Sequence, residues 1–304
     1  MIIFDVFYQK KILGVFTALV TVSIWALFLV GTRFAVSSHF TVEEVLLLRL
    51  LPAAIVMLPF MFKLGVVPRG LSWFGGFAVM FGASAVFPFF ISQGLFYAPA
   101  SDAGALAPGM LPFWTALAAF LMLGERPNKL ALFGLMAILV GAFMIGLWQT
   151  LVGAYSGAWR GYILFLMGSG LWSIYSVIYR QSGLTPLHGL VIGLFWGAVL
   201  VVPVTLLSGN VTFSKATLLD IASMIFLQSF VIAILAMILF SYAVKQLGAA
   251  QTAAFGALTP VLALLGGVFF LGEAFSITKM IGVALVASGV LLASGTFSSE
   301  NPRK

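Results

Sequence analysis

Blocks of apolar residues follow one another along almost the whole chain, and only short polar connections separate them. A helix that crosses a bilayer needs about 20 predominantly apolar residues. Runs of this length favour helices over a membrane barrel, whose strands would be about 10 residues of alternating polarity. The pattern predicts ten transmembrane helices, over residues 12–35, 42–63, 71–97, 101–123, 129–148, 157–180, 186–207, 214–245, 248–271 and 276–296.

The composition fits a membrane environment. Hydrophobic residues make up 62% of the 304 residues, charged residues only 8%, and the mean hydropathy is +1.17. A soluble domain carries about 45–50% apolar and roughly 25% charged residues. The first apolar block is too long for the core of a signal peptide, and no A-x-A-like cleavage site follows it, so we expect it to remain as a helix. The expected fold class is an all-α membrane protein.

The net charge of +7 would suggest a nucleic-acid partner if the basic residues formed one patch, but they are divided between the two sides of the predicted helices. With the N-terminus in the cytoplasm, Arg49 lies within a helix and four basic residues lie outside, namely Arg33, Arg160, Lys215 and Lys279. Ten lie inside, namely Lys10, Lys11, Lys63, Arg69, Arg126, Lys129, Arg180, Lys245, Arg303 and Lys304. This distribution follows the positive-inside rule, and it predicts cytoplasmic termini and no nucleic-acid partner.

The second half of the chain repeats landmarks of the first half in the same order. Three landmarks recur 147 residues later: Gly14, Trp25 and Arg33 as Gly161, Trp172 and Arg180. Others recur 148 residues later: Pro112 as Pro260, Leu123-Gly124-Glu125 as Leu271-Gly272-Glu273, Gly134 and Gly141 as Gly282 and Gly289, and Ser101, Ala105 and Gly109 as Ala249, Ala253 and Ala257. We therefore expect two five-helix repeats, residues 12–148 and 157–296, in a single integrated transmembrane unit. Because five is odd, the repeats must be inverted, which is typical of secondary transporters with a substrate site between the halves.

These landmarks also resemble a known family. The mid-helix tryptophans, the proline of the fourth helix and the Leu-Gly-Glu that closes it are together similar to the EamA-type branch of the drug/metabolite transporter superfamily, over residues 12–296. Overall similarity places the chain nearest to exporters of aromatic and other amino acids, although Phe87-Pro88-Phe89-Phe90 departs from the common pattern. The resemblance implies a multi-pass protein of the bacterial inner membrane, acting on small molecules without a cofactor, as a monomer or weak homodimer.

Aromatic residues form the candidate substrate-binding set. Trp25 and Trp172 lie in the middle of their helices, away from the interfacial belts in which tryptophan is enriched. A buried indole N–H needs a partner, which a ligand or water in a cavity would supply. With neighbours on the same faces or on facing helices, the set is Trp25, Phe28, Phe87, Phe90, Leu111, Trp172 and Tyr175. Ordinary packing is the alternative role for each member.

Two prolines near the midpoints of helices are candidate hinges. Proline removes an intrahelical hydrogen bond and clashes with the preceding turn, so Pro112 and Pro260 are expected to kink their helices. Static kinks that only help packing are the alternative. The small residues at four-residue spacing, such as Ser101, Ala105 and Gly109, are expected to form packing grooves.

The acidic residues are all placed at helix ends or in loops, with the depth of Asp220 uncertain by about a turn. Proton-driven carriers usually use an intramembrane carboxylate, so the sequence favours facilitated transport. Arg49, about two turns into the second helix, is expected to extend to the interface or to pair with Glu43 or Glu44. Binding a substrate carboxylate is its alternative role.

Other classes of function lack their characteristic residues. The chain has no cysteine, no His-x-x-x-His, no paired midplane carboxylates and no phosphate-binding glycine loop followed by lysine, so neither an enzyme nor a metal site is expected. A channel would require a ring of carbonyls or charges as a selectivity filter. The sequence predicts a carrier working by alternating access around an aromatic cavity and exporting amino acids. The alternatives are an exporter of drugs, nucleosides or other metabolites, or a channel-like pore.

Overall fold

The computed structural model describes residues 2–152 and 157–296, with the side chains of residues 10–147 and 157–296. Within these ranges the regular structure is entirely helical. The helices are α1 (Ile2–Ser38), α2 (Val42–Leu64), α3 (Trp73–Tyr97), α4 (Ala100–Leu123), α5 (Lys129–Val152), α6 (Ala158–Gln181), α7 (Pro186–Leu207), α8 (Leu218–Leu247), α9 (Ala249–Leu271) and α10 (Ile277–Ala293).

The described helices correspond one to one with the ten predicted spans. Nine of them are long and apolar enough to cross a membrane, and α10, with 17 residues, is a shorter apolar helix. The largest boundary error is at α1, which begins at Ile2 rather than at residue 12. The apolar run stops at Lys10 and Lys11, but a helix can continue past the hydrocarbon layer with charged residues facing water. Together the helices define a multi-pass membrane protein.

Local sequence signals fix several helix ends. Capping boxes begin α2, with Thr41 and Glu44, and α8, with Thr217 and Asp220. Each box satisfies amide N–H groups that the first turn of a helix leaves without intrahelical acceptors. Asp220 therefore lies in the first turn of α8 rather than further along the helix. At the ends of α4 and α9, Gly124 and Gly272 adopt left-handed conformations, with φ of 72° and 64°, which side chains disfavour.

Four of the helices are irregular near their middles. A π-helical segment interrupts α3 at Gly82–Val86 and another interrupts α8 at Phe226–Leu235. Helix α4 stops at Leu106 and resumes through a 3₁₀ turn, Pro108–Met110, while α9 is broken between Phe255 and Leu258.

The two candidate hinge prolines lie at these breaks. Pro112 and Pro260 fall in the first turn of the helical segment that follows each break, Leu111–Leu123 and Leu258–Leu271. A proline is tolerated there because its missing N–H would have no intrahelical acceptor. The irregularity at the prolines is therefore larger than the expected kink, because the helices are interrupted there. The hinge role itself stays a prediction.

Glycine allows α5 and α10 to pack backbone against backbone. A Cβ added to Gly134 would lie 2.6 Å from the Gly289 carbonyl oxygen, and one added to Gly141 would lie 2.5 Å from the Gly282 carbonyl oxygen. Close approach of this kind is how membrane helices gain packing energy, since lipid provides no hydrophobic drive between them. The glycines that marked the repeat thus have a structural role.

Large apolar side chains cover the outside of the helix bundle. Phe62, Leu121, Phe143, Phe269 and Phe270 are among the most exposed side chains in the described ranges. In water such a surface would drive association, whereas in a bilayer it is the surface that lipid covers.

Candidate functional site

Three residues of the predicted aromatic set meet where α3 packs against α6. The Phe87 and Trp172 ring centroids are 4.7 Å apart, and those of Trp172 and Tyr175 are 5.4 Å apart. Gly82, in the π-helical segment of α3, lets the backbone approach Tyr175, because a Cβ there would lie 2.8 Å from the Tyr175 Cβ. Trp172 and Phe87 are only half-buried, so part of each ring is accessible. This aromatic cluster confirms that Tyr175 lies beside Trp172.

The equivalent residues of the first half have different neighbours. The ring of half-buried Trp25 packs against Phe240 of α8, with centroids 5.2 Å apart. Phe28 is buried, and the Arg49 guanidinium carbon lies 4.8 Å from the centre of its ring. No ring contact joins these residues to the aromatic cluster within the described part of the chain. The structure therefore divides the predicted set into two groups.

Phe90 and Leu111 lie against α6 through packing and backbone contacts. The Phe90 Cβ would be 3.0 Å from a Cβ on Gly168, and the Leu111 carbonyl oxygen accepts a hydrogen bond from Ser173 Oγ at 3.4 Å. On the same turn of α4, the buried Trp114 indole nitrogen has no acceptor among the described residues. A buried N–H without a partner is costly, so Trp114 is a donor that a bound polar group would satisfy.

Arg49 lies in a polar network between α2 and α8 that the sequence did not indicate. Its Nη1 donates to Gln228 Oε1 at 3.1 Å, and Gln228 Nε2 donates to Thr32 Oγ1 at 2.8 Å. Ser229 Oγ, next in the π-helical segment of α8, donates to the carbonyl oxygens of Leu48 and Arg49 at 2.6 and 2.9 Å.

The expected partners of Arg49 bind elsewhere. Glu44 accepts hydrogen bonds from the amides of Thr41, Thr212 and Phe213, and Glu43 accepts one from the Asn210 side chain. These contacts join the α1–α2 connection to the α7–α8 connection. With both carboxylates engaged at the helix start, the guanidinium turns towards α1 and α8. The expectation that Arg49 extends outward or pairs with Glu43 or Glu44 is therefore wrong.

A second polar network is buried where α4, α6 and α10 meet. Lys279 Nζ lies 2.8 Å from Asp102 Oδ1 and donates to Ser101 Oγ at 2.9 Å. Tyr162 donates its hydroxyl to Asp102 Oδ2 at 2.8 Å. The side chains of Lys279 and Asp102 are 1% and 0% exposed.

The sequence placed both residues at helix ends, and the structure has them there: Asp102 in the first turn of α4 and Lys279 in the first turn of α10. The sequence analysis did not anticipate that both side chains are buried and paired. Both side chains are buried because each supplies the counter-charge that the other needs, and hydrogen bonds satisfy the remaining groups. A signal was present in the sequence: the positions 148 residues away are Ala250 and Ala131, so both charges depart from the repeat.

The two Leu-Gly-Glu motifs have the same backbone geometry but different partners. The Glu273 carboxylate accepts hydrogen bonds from the amides of Ala100 and Ser101, at 2.7 and 2.8 Å, and so caps α4. Among the described residues, Glu125 contacts no helix start. Its carboxylate pairs at 2.6 Å with Arg180, and both side chains are about half exposed (51% and 54%).

The repeated arginines differ in the same way. Arg33 Nη1 donates to the carbonyl oxygens of Leu95 and Phe96 in the last turn of α3, at 2.6 and 3.0 Å. Its repeat equivalent Arg180 binds Glu125 instead of a helix end. We call the end with Arg33 and Glu273 the sealed end, because every residue of Ala100–Leu106 is buried there.

The opposite end is looser. Its repeat-equivalent helix start, in α9, leaves Ala249, Ala250, Gln251 and Ala253 exposed. The small residues Ser101, Ala105 and Gly109 are buried as a packing surface, as predicted, but in α9 only Ala257 of the equivalent set is buried.

An apolar groove and the acidic and histidine side chains lie apart from the predicted site. An apolar groove of about 360 Å³ opens between α2 and α7, lined by Leu51, Ala54, Phe195 and Pro203 among others. It contains none of the predicted substrate-binding residues. Over the described ranges, no group of three or more His, Cys, Asp or Glu side chains is placed to hold a metal ion.

The fold and these polar and aromatic groups define a helical multi-pass membrane protein with charged residues inside its helix bundle. A family model described as the EamA-like transporter family matches residues 12–147 and 159–295. The chain therefore belongs to the EamA-like transporter family, within the drug/metabolite transporter superfamily. Membership in a family of transporters agrees with the expectation that the protein is not an enzyme.

Two individual proteins are also similar to this chain. The chain is 26% identical over 253 residues to the uncharacterized transporter YyaM of Bacillus subtilis (strain 168), covering 81% of each protein. A solved crystal structure of a protein without a stated function superposes with a TM-score of 0.61 at 19% sequence identity, covering 94% of this chain and 97% of the other. The latter similarity establishes a shared fold only.

Proposed function

We propose that the protein exports small organic metabolites across the bacterial inner membrane by alternating access between two inverted halves, residues 12–148 and 157–296. Neutral amino acids, aromatic ones included, are the proposed substrates, and both termini lie in the cytoplasm. The basic residues support this orientation through the positive-inside rule.

The pattern of helix packing supports two equivalent halves. α2 packs against α7, α4 against α9 and α5 against α10, while α1 packs against α8 and α3 against α6. If each helix of the first half is exchanged with its repeat equivalent in the second half (α1 with α6, α2 with α7, and so on), the same set of packed pairs results. Such symmetry is expected when two repeats enclose a shared site.

The observation that carries the proposal is the difference between the two ends of the bundle. At the sealed end, Glu273 caps the start of α4 and Arg33 caps the end of α3. Their repeat equivalents Glu125 and Arg180 make no such contacts and pair with each other. The two Leu-Gly-Glu motifs have the same backbone conformation. The two ends of the bundle therefore differ in whether a helix start lies close enough to bind the glutamate of the motif.

In the alternative state the contacts exchange between the ends. Glu125 would accept hydrogen bonds from the first amides of α9, and Arg180 would bind the last carbonyls of α8. At the sealed end, Glu273 and Arg33 would lose these partners and could pair in turn. A carboxylate at a helix start and a guanidinium at a helix end are each stabilised by about 0.3–1 kcal/mol or more by the helix dipole. The two states can therefore be close in free energy.

Single cysteines test this exchange, since the natural chain has none. Ala105 and Ala253 are repeat equivalents, the first fully buried and the second exposed. In purified protein, we expect maleimide to label Ala253→Cys quickly and Ala105→Cys slowly. Adding Glu273→Gln should speed labelling at residue 105 and slow it at residue 253. Adding Glu125→Gln, the matched control, should not speed labelling at residue 105.

Two results would count against alternating access. Faster labelling at both positions in the Glu273→Gln background would show general loosening of the fold. Unchanged labelling at residue 105 would show that Glu273 does not hold the sealed end.

Aromatic side chains support the proposed substrates. The half-buried faces of Phe87 and Trp172 suit apolar side chains and an ammonium group, through stacking and cation–π attraction. Counterflow in proteoliposomes, with a panel of labelled amino acids, nucleosides and organic cations, would identify the solute. Trans-stimulation by unlabelled solute identifies a carrier, whereas a channel-like pore would show none.

A further inference from the structure

Arg49 is a charged residue inside the bundle without a counter-ion. It lies seven residues after the start of α2 at Val42, or about 10 Å along the helix. The described ranges contain two ion pairs, Arg180–Glu125 and Lys279–Asp102, and neither includes Arg49. Intramembrane charges are costly, normally find partners, and are otherwise associated with substrate or ion pathways. This leaves Arg49 with a charge that a ligand can neutralise.

The surroundings of Arg49 fix its position but leave most of its donors free. A guanidinium has five N–H groups, and the described residues provide one acceptor, Gln228 Oε1 at 3.1 Å. Gln228 is fully buried and its amide is oriented by Thr32, so the acceptor side of Gln228 faces Arg49. The Phe28 ring lies 4.8 Å from the guanidinium carbon. The Arg49 side chain is half-buried, and among the described residues its remaining N–H groups have no acceptor.

The backbone around the site is held by the π-helical segment of α8. Ser229 donates to the carbonyl oxygens of Leu48 and Arg49 and thereby fixes α2 against α8. Segments of this kind inside α-helices are frequently found at functional sites.

The other half has the same contact without the charge. Gly193 of α7 lies seven residues after the helix start at Pro186, as Arg49 lies seven residues after Val42. Ser84, in the π-helical segment of α3, packs against this glycine, because a Cβ there would be 2.7 Å from Ser84 Oγ. A cation is therefore not needed to pack these helices together, and the charge requires another explanation.

We propose that Arg49, oriented by Gln228 and Phe28, binds the carboxylate of the transported solute. The substrate class is then small organic carboxylates, amino acids among them. This inference rests on the proposed transport function. Arginine suits the role because its planar fork binds both oxygens of a carboxylate, which lysine cannot do.

Matched pairs of solutes test the site directly. Thermal unfolding of the purified protein would be followed with L-phenylalanine against L-phenylalaninamide, and with hexanoate against hexanamide. We expect the carboxylates to raise the melting temperature and the amides to leave it unchanged. Arg49→Gln should abolish this shift, and Arg49→Lys should weaken half-saturation about tenfold or more. Lys63→Gln, which removes an exposed cation from the same helix, should behave as wild type.

The unliganded variants separate binding from a structural role. If Arg49 binds substrate, Arg49→Gln should be at least as stable as wild type, since it removes an uncompensated charge. Lower stability of Arg49→Gln, with equal effects of carboxylate and amide on the wild type, would overturn the inference.

Counterflow with the same solutes distinguishes this inference from the transport function. If carboxylates stabilise the protein but no solute shows counterflow, the result would support the anion site and contradict the transport proposal. If amides show counterflow as fast as carboxylates do, and if Arg49→Gln does not change these rates, the result would support transport and contradict the anion site.

Discussion

The ammonium group of Lys279 lies 2.8 Å from the carboxylate of Asp102, and both side chains are almost completely buried. The pair joins the first turn of α4 to the first turn of α10, beside the Glu273 carboxylate that caps α4. Hydrogen bonds from Tyr162 and to Ser101 complete the network. The sealed end is thus held by buried charges that must be matched with each other.

Breaking this pair from one side should destabilise the protein strongly. Asp102→Asn or Lys279→Met alone leaves one buried charge without a partner, which costs about 3–5 kcal/mol. The double variant removes both charges, so it should recover most of that loss. Thermal or denaturant unfolding in detergent provides the comparison. Additive losses in the double variant would show that the two charges do not depend on each other.

The energy source can be tested with an imposed pH gradient. Asp102 is a buried carboxylate that the sequence did not indicate, but its charge is already neutralised by Lys279 at a helix end. We therefore still expect facilitated transport, with no sustained accumulation in liposomes that start with equal substrate on both sides. Accumulation that disappears in the Asp102→Asn, Lys279→Met double variant, which should keep most of its stability, would make Asp102 the coupling site. Asp220 caps α8, so Asp220→Asn should not change accumulation.

The aromatic cluster should matter for transport more than for folding. Trp172 is half-buried and touches both Phe87 and Tyr175, so Trp172→Ala should reduce counterflow several-fold while expression and melting temperature stay near wild type. Trp25→Ala should have a smaller effect. Trp159→Ala, in the same helix as Trp172 but exposed on its surface, is the control and should be neutral. Parallel loss of stability and activity in the Trp172 variant would assign it to packing.

Close packing of α5 and α10 predicts a sharp difference between two helical glycines, one in this contact and one outside it. A Cβ at Gly134 would meet the Gly289 carbonyl oxygen at 2.6 Å, whereas one at Gly76 of α3 would meet the Pro68 Cγ at an ordinary 3.8 Å. Gly134→Ala should therefore lower the free energy of unfolding by about 1–3 kcal/mol, as overpacking usually does. Gly76→Ala should be tolerated. Equal effects of the two changes on unfolding would show that helix propensity, rather than contact with α10, decides the outcome.

The orientation in the membrane predicts the behaviour of reporter fusions. An even number of spans returns the chain to its starting side, and the basic connections favour the cytoplasm for that side. Green fluorescent protein fused after residue 304 should fluoresce, and alkaline phosphatase fused there should be inactive. Active phosphatase with a dark fluorophore would contradict the ten-span arrangement.

Part of the candidate site could be predicted from the sequence. Trp172, Tyr175 and Phe87 were selected from their helix positions, and the structure brings their rings together. For Trp25 and Phe28 the same reasoning indicated a shared helix face but not the residues that pack against it. Their partners, Phe240 and Arg49, lie on other helices, and periodicity within one helix does not specify them.

The sequence by itself determined the ten helices and the match between the two halves. Spanning a bilayer demands about 20 consecutive apolar residues, so the spans are a local property that can be read along the chain. Repeat landmarks are local as well. The tertiary structure alone decided which charges meet: Arg49 with Gln228, 179 residues away, and Glu125 with Arg180 while Glu273 caps α4. Equivalent residues can differ in this way because a side chain's partner depends on how distant helices pack, and the two ends of this bundle are packed differently.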